Sequence, residues 1–457
     1  MYYALNRAAR MRKEPQCVVL FSAEDTGSLR YLHPVYGVLL ALCNGQRSGE
    51  DLLQVLTEAF GLPAERASEL LTRLLTDLGS YVVPSPEPVA GPDRYDPVEF
   101  LYQPVGNPDL RRLTAPIYVA WLITERCPFD CVYCCIKTLP AASAAEGEMN
   151  RDGALRFLAD CVASGVQAFT FHGGEPFLRK DMPELIRYLL SNGVFVTLST
   201  KLSLSEGTVA DLEDAGVEEM QVSVDTPDAE AADRMVGHPN YLQGAFRNIE
   251  RLQRHGIGVK TNTVVTRRNV RDVPRLIRLL AGRGVRKISL SGYLRSSWKH
   301  DDDLLPGGDE LAAMAREVDA LRPELPGVEI KMCPLQDPRD ISLAAEGLSA
   351  CSGGKSGLVV GADGRVSICD RLLSFDEAVV GNVTHESLAE IWNGERLRAF
   401  IDPDEEAFAG TECAGCGLKQ TCDRRIRCYY RSRMIRQRLF APDHLCPVVP
   451  APSLRFF

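Results

Sequence analysis

Residues 117–134 read Ile-Tyr-Val-Ala-Trp-Leu-Ile-Thr-Glu-Arg-Cys-Pro-Phe-Asp-Cys-Val-Tyr-Cys. The opening seven, 117–123, are a continuous apolar run of the length and composition of a buried strand. Three thiols follow at once, Cys127, Cys131 and Cys134, with three and then two residues between them. Downstream, strand-like runs recur at 168–171, 195–199, 220–224, 259–265 and 287–291. Amphipathic stretches at 182–190, 209–215, 245–255 and 273–280 lie between them. Strands that alternate with helices predict a parallel α/β sheet with right-handed crossovers. Without a glycine fingerprint of the doubly wound kind, six such units predict an open, partial (β/α)6 barrel over residues 116–325.

The whole chain has 457 residues, room for several domains of about 100–200 residues each, and its 45% hydrophobic and 25% charged content is ordinary globular usage. The net charge of −9, from 52 basic and 61 acidic residues, argues against a general nucleic-acid or anionic-membrane binder. No apolar run reaches the length of a membrane span, and residues 1–16 lack the apolar core of an export signal, so a cytoplasmic protein is expected. Fifteen cysteines in such a chain point to metal or redox chemistry rather than disulfides.

Outward from the barrel, residues 1–86 form a pattern of their own. Strand-like 17–21 and 29–32 precede a helix over 35–43. Ser48-Gly-Glu-Asp51 then has the form of a capping box, ahead of a helix whose apolar positions are Leu52, Val55, Leu56, Ala59 and Phe60. Another helix follows Pro63, and 81–83 reads as a closing strand. This order predicts a small winged helix-turn-helix. Prolines at 84, 86, 88, 92, 97, 104 and 108 predict an extended linker over 87–115. Residues 326–457 hold eight of the fifteen cysteines and are expected to form a cysteine-rich third unit.

Thiolates are the usual ligands of iron–sulfur clusters, and a four-iron cluster held by only three cysteines leaves one iron open for chemistry. After the second strand comes His172-Gly173-Gly174-Glu175-Pro176. There glycines allow close backbone approach and a carboxylate can receive an ammonium group. Both segments follow strand C-termini, where barrel enzymes place their active sites. The same thiols with a fourth ligand would suit zinc, with Cys135 the adjacent candidate.

The C-x3-C-x2-C loop and the Gly-Gly-Glu-Pro motif resemble the radical S-adenosylmethionine (SAM) superfamily. The resemblance implies that Cys127, Cys131 and Cys134 bind a [4Fe–4S] cluster whose open iron is chelated by SAM. Electron transfer would then release a 5′-deoxyadenosyl radical that takes a hydrogen atom from substrate. It further implies that Tyr133 lies near the adenine and that Gly173, Gly174, Glu175 and Pro176 hold the methionine amino group. Ser199, Ser223, Asp225, Arg234 and Asn262 would contact the methionine carboxylate, ribose or adenine.

In the last unit, Cys351 and Cys369 bracket Gly364, and Cys413-x2-Cys416-x5-Cys422-x5-Cys428 precedes Cys446. Seven thiols are too many for one four-coordinate ion. The pattern resembles a SPASM domain, although the spacing before Cys428 is five where that family has three. The resemblance implies two auxiliary [4Fe–4S] clusters, three clusters in all. One would use Cys351, Cys369 and Cys428, with either Cys333 as the fourth ligand or that iron left open to bind substrate, and the other Cys413, Cys416, Cys422 and Cys446. Seven arginines between Arg424 and Arg438 are expected to form a solvated helix face or to tune a cluster.

The expected recognition helix, residues 52–60, has no Lys or Arg, which argues against DNA groove binding. His33-Pro-Val-Tyr-Gly37 and the following Leu-Leu-Ala-Leu-Cys-Asn-Gly-Gln-Arg-Ser resemble the peptide-chaperone domain of pyrroloquinoline quinone biosynthesis, a RiPP recognition element. This implies a precursor peptide whose leader adds a strand to a small sheet. The combined expectation is an enzyme that forms a thioether or carbon–carbon crosslink within a ribosomally made peptide, served by a flavodoxin or ferredoxin as electron donor. The alternatives are a sulfatase- or quinohemoprotein-maturating type acting on a whole protein, and a zinc-binding regulatory or scaffold protein.

Overall fold

A computed structural model describes residues 1–91, 94–106, 112–144, 146–332, 351–418, 422, 427–443, 446 and 448–449. The chain divides into two units, Met1–Ile117 and Tyr118–Phe457.

In the first unit, β1 (Tyr2–Leu5) precedes an antiparallel meander of β2 (Ala9–Glu14), β3 (Cys17–Ser22) and β4 (Asp25–Leu32). Helix α1 (Pro34–Leu42) leads to β5 (Asn44–Ser48), α2 (Gly49–Glu58), α3 (Ala64–Asp77) and β6 (Val82–Ser85). β1 lies between β5 and β6. The reciprocal Ser48–Asp51 capping box starts α2 as its sequence foretells. The apolar stripes of the helices meet β3 in a core that includes Leu20, Leu39, Leu52, Leu56 and Leu74. The elements expected from residues 17–86 are therefore present, while β1, β2 and β5 are additions.

The proline-dense stretch is irregular, but it packs. Phe100 is 2% exposed in that core, and Tyr95 meets it edge-on at 6.0 Å. The Tyr102 hydroxyl lies 2.7 Å from the carbonyls of both Glu14 and Cys17. Prolines remove backbone donors without preventing side-chain burial, so residues 94–106 line the first unit instead of forming a bare connector.

The second unit opens with β7 (Tyr118–Thr124), followed by a small parallel pair, β8 (Arg126–Cys127) and β9 (Leu139–Pro140). Helices α4 (Arg151–Ala163), α5 (Met182–Ser191), α6 (Glu206–Asp214), α7 (Ala229–Val236), α8 (Tyr241–Arg254), α9 (Val273–Gly282) and α10 (Gly308–Leu321) intervene between successive strands. These are β10 (Ala168–Gly173), β11 (Phe195–Thr200), β12 (Glu219–Ser223), β13 (Gly258–Val265), β14 (Lys287–Gly292) and β15 (Glu329–Met332). From β7 to β15 all neighbouring pairs are parallel, as the strand–helix alternation predicts.

On the other edge, β16 (Gly357–Val360) pairs in parallel with β7. β17 (Arg365–Ser367) and β18 (Gly381–Asn382) then extend the sheet antiparallel. The cysteine-rich region thus continues the barrel sheet, and α11 (Leu388–Asn393), α12 (Glu395–Ile401) and α13 (Tyr429–Arg436) follow. Strand β13 shows how the sheet is used. Val259, Thr261, Thr263 and Val265 are buried, while Lys260, Asn262 and Val264 on the other face are only partly covered. Among the described residues no helix is long and apolar enough to cross a membrane.

Candidate active site at the strand C-termini

The three-thiol loop is held from two sides by main-chain bonds. Asp130 N and Val132 N donate to the carbonyls of Val236 and Met235 at the end of α7, both at 2.9 Å. Gly174 N donates to Thr124 O at 2.7 Å and Glu175 N to Arg126 O at 2.8 Å. A Cβ on Gly174 would stand 2.1 Å from Arg126 O, and one on Gly173 would stand 2.5 Å from Thr124 O, where φ is also +126°. These glycines therefore serve the close approach of the motif to the cysteine loop. Glu148, which the sequence reading missed, clamps the start of the loop. It accepts from Thr124 Oγ1 at 2.5 Å and pairs with Arg126 at 3.1 Å.

Cys127 lies within electrostatic reach of Glu175, Cys131 and Cys134, and Cys131 within reach of Cys134. Burial first, then these neighbouring charges, push the Cys127 thiol up to about 12, and burial dominates in raising Cys131 to about 11. Such thiols stay protonated until a metal supplies the compensating charge, which suits a cluster site. Among the described residues no three Cys, His, Asp or Glu side chains converge on a single ion. A four-iron cluster has no such requirement, since each of its cysteines binds a different iron.

Glu175 is 2% exposed. Its carboxylate accepts from Thr200 Oγ1 at 2.7 Å, Lys201 N at 3.0 Å and Phe177 N at 3.3 Å. Burial raises its pKa against those bonds. A carboxylate has about four acceptor positions, so room for one more donor remains. Tyr133 donates a very short hydrogen bond to Asp225 Oδ2. Asp225 Oδ1 accepts from Val264 N at 2.9 Å, and Asn269 Nδ2 donates to the Asp225 carbonyl at 2.7 Å. Burial, then Asp225, raises the Tyr133 pKa.

Lys201 Nζ lies 5.6 Å from the centre of the Tyr133 ring. Burial works against its charge, but Cys131, Asp225, Cys134 and Glu175 outweigh that and raise its pKa. Asn269 and Lys201 escaped the sequence reading. Lys201 directly follows a strand end in a barrel, and that was the available signal. Ser223 and Asn262 are register partners on β12 and β13, and Asn262 Oδ1 accepts from Ser291 Oγ at 2.8 Å. Ser199 pairs with Gln221 on the neighbouring strand. Arg234 does not join this group. The buried stripe of α7 is Ala232, Met235 and Val236, which turns residue 234 outward, where it pairs with Glu230 at 3.5 Å. Pro176 is buried at the start of a short 3-10 turn.

In the cysteine-rich region, Cys351, Cys369 and Cys428 share electrostatic reach. The unusual spacing before Cys428 does not keep it from the other two. Cys416 N donates to Cys413 O at 3.2 Å, and Cys446 N to Asp443 O at 3.2 Å. Cys422 carries its own turn through Leu418 O at 2.9 Å. Cys333, Arg424 and Arg425 lie outside the described residues. The remaining arginines are not one solvated face. Arg427 is 7% exposed and stacks on Phe408 at 4.5 Å. Arg431 pairs at 2.8 Å with the buried Asp443, which also accepts from Cys428 N at 2.8 Å. Tertiary partners, invisible in a run of like charges, draw these two inward.

A family model described as the Radical SAM superfamily matches residues 121–292, and one described as an iron-sulfur cluster-binding domain, SPASM, matches residues 351–417. The chain is 30% identical over 312 residues to the PqqA peptide cyclase of Xanthomonas campestris, which covers 67% of this chain and 80% of that protein. It is 26% identical over 324 residues to the AdoMet-dependent heme synthase of Methanosarcina barkeri, covering 67% of this chain and 90% of the relative. Its fold is similar to that of Streptococcus suis SuiB bound to precursor peptide SuiA, with a TM-score of 0.65 at 15% identity across 98% of this chain and 100% of that one.

Proposed function

Because the chain belongs to the radical SAM superfamily and carries a SPASM iron–sulfur domain, we propose that it is a peptide maturase forming a thioether or carbon–carbon crosslink within a ribosomally made precursor. The observation that carries this reading is the relation to a peptide cyclase along 80% of that protein's length, joined to the enclosed Cys127, Cys131, Cys134 and Glu175 constellation.

In this reading the three thiolates hold the first cluster and leave one iron open. When bound, that cluster supplies the electron that releases a 5′-deoxyadenosyl radical from SAM. Glu175 offers its remaining acceptor position to the methionine ammonium, and Gly173, Gly174 and Pro176 shape the turn that presents it. Asp225, fixed by Val264 N and Asn269, holds Tyr133, which would lie beside the adenosine, and Ser199, Ser223 and Asn262 would supply polar contacts from the partly covered face of the sheet. Cys351, Cys369 and Cys428, with Cys333, would hold one auxiliary cluster, and Cys413, Cys416, Cys422 and Cys446 the other. Both would serve to accept the electron left on substrate. The first unit is the leader-binding module. Its meander ends in two edge strands, β2 and β4, and a peptide strand can add to such an edge through main-chain hydrogen bonds. A flavodoxin or ferredoxin in the cytoplasm would supply the electrons.

The test is to capture host peptides on the full chain and incubate them anaerobically with SAM and a reductant. The expected result is 5′-deoxyadenosine together with a peptide lighter by a pair of hydrogens. Deoxyadenosine accompanied only by conversion of a small molecule such as a porphyrin would overturn the peptide reading in favour of chemistry like that of the heme synthase relative.

A further inference from the structure

The first unit holds a cleft of about 710 Å³, inside the range of about 300–1,000 Å³ typical of ligand sites. Its floor is apolar. Val35, Phe60, Leu62 and Leu70 pack on the core of the unit and leave the rest of their surface to the cleft. One wall is helix α3, where Arg66, Glu69, Leu70 and Arg73 fall at the spacing of a single helix face. Another wall comes from the proline-dense stretch, at residues 100–103.

That second wall is fixed in place. Phe100 is buried in the core, and the Tyr102 hydroxyl binds the carbonyls of Glu14 and Cys17. Leu101, between these two anchors, is kept from folding inward and stays 57% exposed at the cleft. A large apolar side chain held in water is stabilised when a ligand covers it. The charge of the rim is one-sided as well. Among the described lining residues two guanidinium groups meet one carboxylate, that of Glu69. Arg66 pairs with Glu69 at 2.7 Å and Arg73 with Asp77 at 3.4 Å, but both pairs are solvent-exposed. Exposed pairs contribute little, so either arginine can turn to a ligand carboxylate.

The cleft also continues a strand edge. In its sheet β4 pairs with β3 alone, and its last residue, Leu32, leads directly into His33, Pro34 and Val35 of the cleft. Pro34 has no N–H. A strand added along β4 therefore runs out of main-chain donors where the cleft begins, and side chains have to hold it from there on.

We propose that the cleft is a docking site for an extended peptide segment with large apolar residues at alternate positions and an acidic residue on the same face. Alternate side chains of a strand share one face, and a guanidinium takes a carboxylate in a charge-assisted bond. Leu101 and one of Arg66 and Arg73 set the specificity. That the docked peptide is the precursor rests on the maturase reading, whereas the docking itself does not.

The experiment measures fluorescence anisotropy of labelled Gly-Glu-Ala-Leu-Ala-Phe-Gly-amide with the full chain. Two control probes replace Glu by Gln, or both Leu and Phe by Ser. Wild type is expected to bind the first probe about tenfold more tightly than either control. Leu101→Asp is expected to abolish that binding. Arg66→Glu or Arg73→Glu is expected to remove the preference for Glu over Gln, which identifies the arginine concerned. Val98→Asp, at an exposed position outside the cleft, is expected to change nothing. All four substitutions lie at exposed positions, so the fold is retained.

Equal binding of the three probes, no binding at millimolar probe, or binding that survives in Leu101→Asp overturns the proposal. So does self-association of the chain that Leu101→Asp abolishes without any probe binding, which would assign the cleft to a second copy. Modification of a captured peptide that proceeds equally in wild type and Leu101→Asp keeps the maturase reading and loses the docking site. Cleft-dependent probe binding with no peptide modified keeps the docking site and loses the maturase reading.

Discussion

The two cysteine regions are built on opposite electrostatic plans. The loop carrying Cys127, Cys131 and Cys134 is tied by main-chain bonds to α7 and to the Gly-Gly-Glu turn, and its charged surroundings are two buried carboxylates, Glu175 and Asp225, with one ammonium from Lys201. The auxiliary region instead buries arginines. Arg427 donates toward Cys413 Sγ at 3.9 Å, and Arg431 is within reach of Cys428 and Cys351 while paired with Asp443. Carboxylates and a lysine suit recognition of a zwitterionic amino acid at an open iron. Buried guanidinium groups stabilise the electron-rich state of a cluster that has to accept an electron. On the proposed reading, the difference separates a region that would bind from one that would receive.

The largest test of this contrast is Cys127→Ser. It is expected to abolish deoxyadenosine formation and to remove about four iron ions per chain, while the auxiliary signals persist. Loss of all iron would show that the two regions are not independent. Gly174→Ala comes next. Its Cβ meets a main-chain oxygen at 2.1 Å, which cannot yield as a side chain can, so a loss of about 3 kcal/mol is expected by denaturant titration. An unchanged midpoint would sink the account of the loop packing.

Arg431→Gln removes the cation paired with the buried Asp443 and is expected to cost about 3 kcal/mol if the acid stays charged. It should also lower the potential of the cluster served by Cys428. Arg433→Gln on the same helix breaks a pair with the half-exposed Glu377 and is expected to cost under about 1 kcal/mol. Equal effects would erase the distinction between buried and surface arginines in this region.

The smallest effect concerns His172. Burial lowers its pKa against the opposing pull of Asp370, so the folded state favours the neutral ring. Its contribution is present above the unfolded value near 6.5 and is lost as the pH falls below it, because the unfolded chain then binds the proton more readily. His172→Gln should flatten the fall in thermal midpoint between about pH 7 and pH 5.

How much of this was legible follows from where the determinants reside. The six strands and the three-thiol loop could be read because continuous apolar runs and covalent spacing survive in one dimension. Strand β2, Ala-Arg-Met-Arg-Lys-Glu, could not. Its Arg10 and Glu14 are buried, Arg10 through carbonyls of Arg7 and Ala9 and Glu14 through Arg12 and Thr114. Hydrophobic periodicity has no term for charges that fold inward with their partners. Tyr95, Phe100 and Tyr102 were hidden among prolines that correctly signal irregular backbone and say nothing about packing. In the site, Asn269 acts through a turn that it closes on Thr266, and Arg234 was misplaced because a motif position carries no information about helix phase. The inward turn of Arg427 and Arg431 depends on Phe408 and Asp443, which are remote from the cysteine spacing that drew attention to the region.

The central claim is that the cysteines divide into one SAM-binding set and two auxiliary sets. Iron, acid-labile sulfide and zinc analysis of the anaerobically prepared full chain, with electron paramagnetic resonance before and after SAM, tests it most directly. The account predicts about twelve iron and twelve sulfide per chain, no stoichiometric zinc, and one signal that changes when SAM is added. Zinc in place of iron, or about four iron with no signal beyond the one that SAM perturbs, would contradict it.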